Sequence, residues 1–157
     1  MSADGFIATR NDETPWSDVS WVHYNTFVKK HGNIILGRRT YDLMCSDGTF
    51  DNMGSPFTVI LSHQRLESVA TATSAKEAVR LITKKGFEAA VVGGGAATNG
   101  SFLKEGLLDE LYLDIDPTIL SEGLPLFAGA GEHQCKLELL ESKEEGGVIQ
   151  LHYKIKK

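Results

Sequence analysis

The stretch AAVVGGGAATNGSFL, residues 89–103, decides the fold, because it delivers three successive glycines from a buried strand to the start of a helix. We predict the strand over residues 88–92 and a short helix over residues 98–104. Glycines let backbone N–H groups approach a phosphate closely, and the helix dipole favours the anion. A merely tight turn needs only two glycines, so the pattern favours a phosphate site over that alternative. Thr98 occupies the last glycine position of a Rossmann fingerprint, which is therefore incomplete.

A second strand-to-helix junction is predicted in NIILGRRTYDLM, residues 33–44. The strand covers residues 33–36 and is followed by Gly37, Arg38, Arg39 and Thr40. Arginines at a helix start oppose the helix dipole, so they favour a bound anion over the alternative of a solvated basic helix start. Two such junctions on one sheet fit a single dinucleotide that carries a pyrophosphate and a 2′-phosphate.

The rest of the chain alternates strands and helices up to residue 117. Residues 56–61 and 110–115 are predicted strands, and Ser74 with Glu77 forms a capping box that opens a helix over residues 74–85. The final residues alternate apolar and polar side chains around the turn EEGG at residues 144–147, which predicts an antiparallel hairpin. The sequence therefore predicts an α/β fold with a mixed sheet, parallel in its middle and antiparallel at its C-terminal end.

Composition narrows the classes of partner. The chain has 157 residues, 16 Lys and Arg against 21 Asp and Glu, and a net charge of −5, which predicts one domain over residues 1–157 and no nucleic-acid partner. No segment is apolar enough to span a membrane and the N-terminus lacks a signal-peptide pattern, so a cytoplasmic location without membrane partner is expected. Cys45 and Cys135 are expected to be separate reduced thiols, and the five histidines lack metal-ligand spacing, so no metal is predicted.

The first half of the chain supplies candidate stacking and proton-donating side chains. Trp16 and Trp21 could cover a ribose or pyrimidine, although core packing is the commoner use of tryptophan. The available proton donors are Asp4, Asp18, His23, Tyr24, Tyr41 and His63. Residue types alone do not rank these donors.

Seven motifs, in order, carry a resemblance to a known family. They are S-x-D-G-x-I-A at residues 2–8, the tryptophan at 16, G-R-x-T at 37–40, I-L-S at 60–62, G-G-x-x-x-N-G-S-F-L at 94–103, G-L-L-D-E-L at 106–111 and P-x-I-L-x-x-G-x-P-L-F at 117–127. With these motifs the chain resembles the dihydrofolate reductase-like superfamily and, within it, the C-terminal reductase domain of the riboflavin biosynthesis protein RibD. The resemblance covers nearly the whole length.

The resemblance implies an NADPH-dependent reductase on a three-layer fold, with a mostly parallel central sheet, helices on both faces and a C-terminal hairpin. Ile7 and Ala8 would lie near the nicotinamide. The 2′-phosphate side would be held by Gly37, Arg38, Arg39 and Thr40 with Leu61, Ser62 and His63, and the pyrophosphate by Gly94, Gly95, Ala96 and Ala97. Trp16 completes the expected cofactor set, and Asp4 is the candidate catalytic residue.

The substrate implied by the resemblance is a small pyrimidine-like heterocycle. Three positions depart from the family pattern: Trp21 stands where folate reductases carry an acid, Gly93 where riboflavin reductases carry Glu, and Phe6 where many carry Lys or Arg. The alternatives are a dihydrofolate reductase and a non-catalytic nucleotide-binding protein.

Two expectations concern assembly. The family has a strand ahead of S-x-D-G, so we expect the natural protein to begin upstream of Met1, or another segment to replace that strand. A homodimer is expected because residues 117–127 form an apolar segment at the end of a strand.

Overall fold

The computed structural model describes residues 1–46 and 48–157. In chain order the elements are β1 (Phe6–Ala8), α1 (Asp18–His31), β2 (Asn33–Gly37), α2 (Arg38–Ser46), a 3₁₀ helix (Thr49–Met53), β3 (Phe57–Leu61), β4 (Ala70–Ala72), α3 (Ala75–Lys84), β5 (Val92–Gly94), α4 (Ala96–Lys104), β6 (Glu110–Ile115), β7 (Leu124–Pro125), β8 (Lys136–Glu145) and β9 (Val148–Lys156). Within these residues no helix has the length and apolarity to cross a membrane, and no cluster of side chains is suited to a metal ion.

The central sheet is fully parallel and has the strand order β4-β3-β2-β5. Strand β2 lies inside it, and its Ile34, Ile35 and Leu36 are completely buried. The chain steps from β2 outward to β3 and β4, and then returns past β2 to form β5 on the other side. The strand order therefore reverses between β2 and β5. In open parallel sheets, ligands bind outside the carboxyl ends of the strands at such a point.

Helices cover both faces of this sheet. On one face, Val28 of α1 and Met44 of α2 pack with Ile34, Leu36 and Ile60. On the other face, the buried side chains of α3 and α4 pack against β2, β3 and β4; they are Ala75, Ala78, Ile82 and Phe102. The three-layer α/β fold predicted from the sequence is confirmed.

The capping box of α3 is also confirmed. The Ser74 hydroxyl accepts a hydrogen bond from the Glu77 N–H at 3.2 Å, and the Glu77 carboxylate accepts one from the Thr73 N–H at 2.8 Å. These contacts satisfy backbone donors that lack partners within the helix.

The strand predicted over residues 88–92 lies later in the chain, at Val92–Gly94. The reason is the buried side chain of Asn33, whose amide donates to the Ala89 carbonyl at 2.9 Å and accepts from the Val91 N–H at 3.1 Å. The Asn33 side chain thus bonds the Ala89 carbonyl and the Val91 N–H in place of a neighbouring strand, so β5 begins only at Val92. Two of the three glycines consequently belong to the strand, and α4 begins at Ala96 rather than at Thr98.

The C-terminal strands form a separate antiparallel sheet with the order β6-β9-β8. The predicted hairpin is confirmed, and its turn uses Gly146 and Gly147 with positive φ angles of 58° and 84°. The strand pattern predicted one mixed sheet. The described residues instead hydrogen-bond as this sheet, the parallel sheet and a two-stranded β1–β7 pair.

Met1 and Ser2 lie beside β6. The Met1 amine donates to the Asp114 carbonyl, the Asp116 N–H donates to the Met1 carbonyl at 2.8 Å, and Ser2 forms a parallel bridge with Asp116. The expectation of an upstream or replacement strand stays a prediction.

Asp116 ties the start of α1 to the end of β6. Its Oδ2 accepts hydrogen bonds from the Ser17 N–H at 3.0 Å, the Ser17 hydroxyl at 2.8 Å and the Ser20 hydroxyl at 2.8 Å. Burial alone raises the pKa of Asp116, but these hydrogen bonds, with the Met1 amine, hold that pKa below its ordinary value. The carboxylate is therefore ionised at neutral pH.

Replacing this carboxylate should destabilise the fold. Asp116→Ala leaves the Ser20 hydroxyl and the Ser17 N–H without their acceptor, in a site where Asp116 is only 3% exposed. We expect the free energy of unfolding to fall by about 2–4 kcal/mol, because buried donors lose a charged acceptor. Urea and thermal unfolding followed by circular dichroism measure the change.

The matched control is Asp109→Ala, which removes only an exposed ion pair with Lys157 and should leave the free energy of unfolding nearly unchanged. Because the folded-state pKa of Asp116 is lowered, its stabilisation is present above the unfolded-state pKa and is lost as pH falls through the folded-state pKa. The difference from the alanine variant should therefore shrink in acid. Equal effects of the two substitutions at neutral pH would contradict the assignment.

Candidate functional site

The two glycine-bearing junctions lie side by side at the carboxyl ends of β2 and β5. β2 ends at Gly37 and β5 ends at Gly94, and each strand leads into a helix, α2 or α4. The Gly95 N–H donates to the Thr40 hydroxyl at 3.0 Å, which joins the two helix starts directly. The fold therefore brings together the two segments that the sequence analysis singled out, at the point where the strand order reverses.

Close approach of the two helix starts explains two of the glycines. A Cβ on Gly37 would lie 2.6 Å from the Thr98 hydroxyl oxygen, and a Cβ on Gly95 would lie 2.7 Å from the Thr40 hydroxyl oxygen. Gly94 adopts φ +107°, a conformation that side chains disfavour, and the peptide bond to Gly95 is cis. The glycine run therefore serves helix packing as well as backbone access.

The start of α4 keeps its backbone donors uncapped by any side chain. Gly95 is the N-cap residue and supplies no side-chain acceptor, whereas Ser17 caps α1 and Ser74 caps α3. The first N–H groups of a helix otherwise need a partner, and an anion can satisfy them. Ala96 and Ala97 in the first turn add no bulky side chain in front of these donors.

A third segment of the candidate site follows β3. Gly37 pairs with Leu61 in the parallel register, so Ser62 and His63 come directly after the neighbouring strand. Ser62 is held by its N–H, which donates to the Ala72 carbonyl at 2.9 Å. Ser62 and His63 line a cavity of about 1020 Å³, whose wall also includes Arg65, Thr71 and Thr73.

Arg65 is a cation that the sequence analysis did not single out. It lies in the loop after β3, in the wall of the same cavity as His63. A lone arginine in a loop produces no periodic or motif signal. Only the fold shows that it shares a cavity with Ser62 and His63.

Both arginines of the second junction already have acidic partners. Arg38 Nε donates to the two carboxylate oxygens of Asp42 at 2.8 and 2.7 Å, and Arg39 pairs with Asp12. Both guanidinium groups are at least partly exposed. The charge at the helix start is therefore balanced by the chain itself, and an added anion has to share or replace these carboxylates.

The front of the chain contributes β1, which carries Ile7 and Ala8. It pairs antiparallel with β7, and Ala8 is buried. Asp4 lies in the preceding turn, where its carboxylate accepts hydrogen bonds from the N–H groups of Leu120 and Ser121 at 3.2 and 2.7 Å.

These contacts bear on the candidate catalytic role of Asp4. Hydrogen bonding from the Ser2 hydroxyl and from the two backbone N–H groups holds the pKa of Asp4 below its ordinary value. An ionised carboxylate that anchors a loop is a poor proton donor at neutral pH. The structure gives Asp4 an anchoring role, and its catalytic role stays a prediction.

The position at which the resemblance implies Glu, Gly93, is crowded by the side chains of Ile34 and Tyr24, which would have to shift to admit a Cβ. A Cβ there would lie 2.5 Å from Ile34 Cδ1 and 2.6 Å from the Tyr24 hydroxyl oxygen, which donates to the Gly93 carbonyl at 3.0 Å. Burial raises the pKa of Tyr24, so the hydroxyl stays neutral and committed to the backbone.

The two tryptophans lie at the start of α1. Trp21 packs edge-on against Tyr24 with ring centroids 6.0 Å apart, and both Trp16 and Trp21 are half-buried. Neither indole belongs to the two core clusters of the described residues. Both indoles therefore stay candidates for stacking on a ligand.

Sequence relatives span nearly the whole chain. Protein YwjB of Bacillus subtilis is 30% identical over 167 aligned residues, which cover 98% of this chain and 92% of that protein. Protein YyaP of the same organism is 24% identical and covers 98% of this chain and 90% of that protein.

Solved structures show the same fold. A Shewanella sp. PV-4 protein assigned to riboflavin biosynthesis superposes with a TM-score of 0.81 at 23% identity, over 100% of this chain and 96% of that one. The Thermotoga maritima diaminohydroxyphosphoribosylaminopyrimidine deaminase/5-amino-6-(5-phosphoribosylamino)uracil reductase superposes with a TM-score of 0.75 at 16% identity. That match covers 98% of this chain but 54% of the Thermotoga protein, so this chain spans about half of the two-activity protein.

The family is established by the sequence itself. The sequence model of the RibD C-terminal domain matches residues 1–151, which is nearly the full length. The fold of the structural neighbours agrees with this match, and the resemblance carried by the seven motifs is confirmed. The chain belongs to the RibD C-terminal domain family.

Proposed function

We propose that this protein is an NADPH-dependent reductase of a small, pyrimidine-like heterocycle. Family membership supports a reductase-like role related to riboflavin biosynthesis. The contact between the two glycine junctions, in which the Gly95 N–H donates a hydrogen bond to the Thr40 hydroxyl, supports the proposal. One dinucleotide can reach both helix starts there.

The residues at this edge fit the parts of NADPH. The N–H groups of Ala96 and Ala97, which no side chain of the N-cap residue satisfies, suit the pyrophosphate. Arg38, Arg39 and Thr40, with Ser62, His63 and Arg65 on the adjoining loop, suit the 2′-phosphate end. When bound, the cofactor supplies the hydride, so the protein needs no covalent nucleophile.

The chain's own task is to hold and orient the two reactants. The backbone at Ile7 and Ala8 is fixed by its pairing with β7, which gives the nicotinamide end a rigid wall. Gly93 places no side chain beside the start of α4, and Ile34 and Tyr24 crowd the position where its Cβ would lie. Tyr24 reinforces this wall through its hydrogen bond to the Gly93 carbonyl, and burial raises the pKa of its hydroxyl.

The proposed substrate class rests on the absence of charged side chains at positions 6 and 93. Phe6 is paired with Pro125 and carries no charge, and Gly93 carries no carboxylate. These two positions offer no charged side chain to a substrate. We therefore propose that the substrate is a pyrimidine-like ring, recognised mainly by its shape and by backbone groups. Trp21, in place of an acid, disfavours a dihydrofolate reductase. No observation favours a non-catalytic binding protein.

Turnover tests the function directly. Oxidation of NADPH should be measured by absorbance of the reduced nicotinamide with aminopyrimidine ribosides, pterins and quinones as acceptors. We expect oxidation with an aminopyrimidine and little with pterins. Tight NADPH binding without oxidation across the whole panel would instead support a non-catalytic binding protein.

Cofactor preference should depend on Arg38. A charge-assisted hydrogen bond contributes roughly 1.5–3 kcal/mol. One or two such bonds to the 2′-phosphate therefore predict that NADPH binds on the order of tenfold to a few hundredfold more tightly than NADH. Arg38→Ala should weaken NADPH and leave NADH nearly unchanged. Calorimetry with both cofactors, at low and at physiological salt, measures the ratio.

Two further variants serve as a control and as a converse test of the role of Arg38. Arg80→Ala is the matched control, because Arg80 is also an exposed helical arginine with an acidic partner, Glu77. Asp42→Asn is the converse variant, because it releases Arg38 from its carboxylate and should strengthen NADPH binding. Equal affinities of the unmodified protein for the two cofactors, or equal losses for both in Arg38→Ala, would show that the arginines are only a solvated helix start.

A further inference from the structure

We propose that a cavity beside the second half of helix α2, here named the α2 cavity, is a second ligand site that takes a small aromatic ring bearing a cationic group. The cavity has a volume of about 540 Å³, and sites for small molecules usually measure roughly 300–1,000 Å³. Its walls come from α2, the 3₁₀ helix, the first residues of β3 and the segment that leads into β4. Four segments of the chain therefore converge on this space.

The α2 cavity lies apart from the glycine junctions. Strands β3 and β4 line it near their first residues, at Thr58 and Ala70, whereas the candidate site follows the carboxyl ends of the strands. Helix α2 begins at the candidate site and reaches the α2 cavity in its last turn, with Met44 and Cys45. Of the residues that line the α2 cavity, only 68–70 also line the cavity that contains Ser62. This short segment therefore separates two distinct spaces.

Aromatic and aliphatic side chains form the apolar part of the walls. The rings of Tyr41 and Phe50 lie edge to face, with their centroids 5.6 Å apart. Both rings are only half-buried, and with Val69 they pack against the core cluster that contains Met44. Partly exposed rings of this kind can pack edge-to-face or offset-stacked with a further ring. The apolar walls therefore favour a planar aromatic ligand.

Polar groups converge around the Tyr41 hydroxyl. This hydroxyl is hydrogen-bonded to the Cys45 thiol and to the Ser68 hydroxyl. The hydrogen bond with Cys45, followed by burial, raises the pKa of Tyr41 above its ordinary value, so the hydroxyl is neutral at physiological pH. The Ser68 hydroxyl has both donor and acceptor capacity. The cavity therefore offers a ligand a fixed polar group beside its aromatic walls.

Asp51 supplies the charge that selects a cation. Its carboxylate lies in the cavity wall and is exposed, and no basic side chain in the described part of the chain forms an ion pair with it. The lining residues of the described chain include no lysine or arginine. A nearby second carboxylate, that of Asp42, is already paired with Arg38. A cationic group is therefore attracted to this cavity, and an anionic one is repelled.

The two neighbouring cavities consequently differ in the charge that they select. The cavity with Ser62 and His63 carries Arg65, a cation suited to phosphate, whereas the α2 cavity carries the free carboxylate of Asp51. A dinucleotide phosphate does not fit beside that carboxylate. An aromatic ring with an amidine or ammonium group fits both the rings and the charge, since a cation also binds aromatic faces.

Thiol exchange at Cys45 tests the site, because this exposed thiol lies in the cavity wall. The probes are three disulfides with the same linker, ending in a benzamidine, a benzoate or a hydroxyethyl group. In exchange under a reducing thiol, Cys45 keeps most of the probe whose end group binds. We expect Cys45 to retain the benzamidine probe at least tenfold more than the benzoate probe, measured by mass spectrometry of the intact protein and its peptides. The hydroxyethyl probe corrects for the reactivity of the thiol itself.

The control thiol is Cys135, which is also exposed but does not line the cavity, and which should not distinguish the probes. Asp51→Asn should remove the preference at Cys45, and circular dichroism should stay unchanged because Asp51 is exposed. Asp109→Asn, which alters an exposed carboxylate elsewhere, should keep the preference.

Excess NADPH separates this site from the proposed cofactor site. Retention of the benzamidine probe at Cys45 should be the same with and without NADPH, and this holds whether or not the protein binds the cofactor. Loss of retention in the presence of NADPH overturns the proposal, because it assigns the α2 cavity to the cofactor. Equal retention of the benzamidine and benzoate probes at Cys45, or an equal preference at Cys135, also overturns it.

Discussion

Parallel pairing of the buried strand β2 with β3 on one side and β5 on the other is the constraint on which the candidate site depends. The register sets Gly37 opposite Leu61, and Leu36 opposite Gly94. All three strands therefore end at the same edge, and three segments that are distant in sequence meet there. The buried amide of Asn33 secures the start of this arrangement, because it bonds the chain leading into β5. A polar side chain in the core is stable here since its donors and acceptor are satisfied.

At this edge of the sheet, backbone N–H groups without a side-chain acceptor lie near arginines that already have acidic partners. The start of α4 offers backbone N–H groups without a side-chain acceptor, whereas the arginines at the start of α2 are held by Asp42 and Asp12. These intramolecular pairs balance the charges of the two arginines, so that an anion binding to either arginine has to exchange partners with a carboxylate. The pair between Arg39 and Asp12 also joins α2 to the loop after β1.

Local signals in the sequence predicted much of the fold. The capping box at Ser74, the alternation in residues 110–115 and the glycine turn of the hairpin each depend on near neighbours, and each is confirmed. The position of β5 failed, because it depends on the Asn33 side chain, which lies more than 50 residues earlier. The pairing of Arg38 with Asp42 follows helical spacing and could have been found from the sequence. The pairing of Arg39 with Asp12, the contact of Tyr24 with Gly93 and the position of Arg65 arise only from the fold.

In the proposed function, one dinucleotide binds across both glycine junctions. Amide chemical-shift mapping by nuclear magnetic resonance during titration with NADPH tests it most directly, because it reports each backbone N–H separately. We expect the amides of Gly37 to Thr40 and of Gly94 to Ala97 to shift together with a single affinity, while the amides of the β8–β9 hairpin do not shift. Shifts confined to one junction, or located away from the carboxyl ends of β2 and β5, would contradict it.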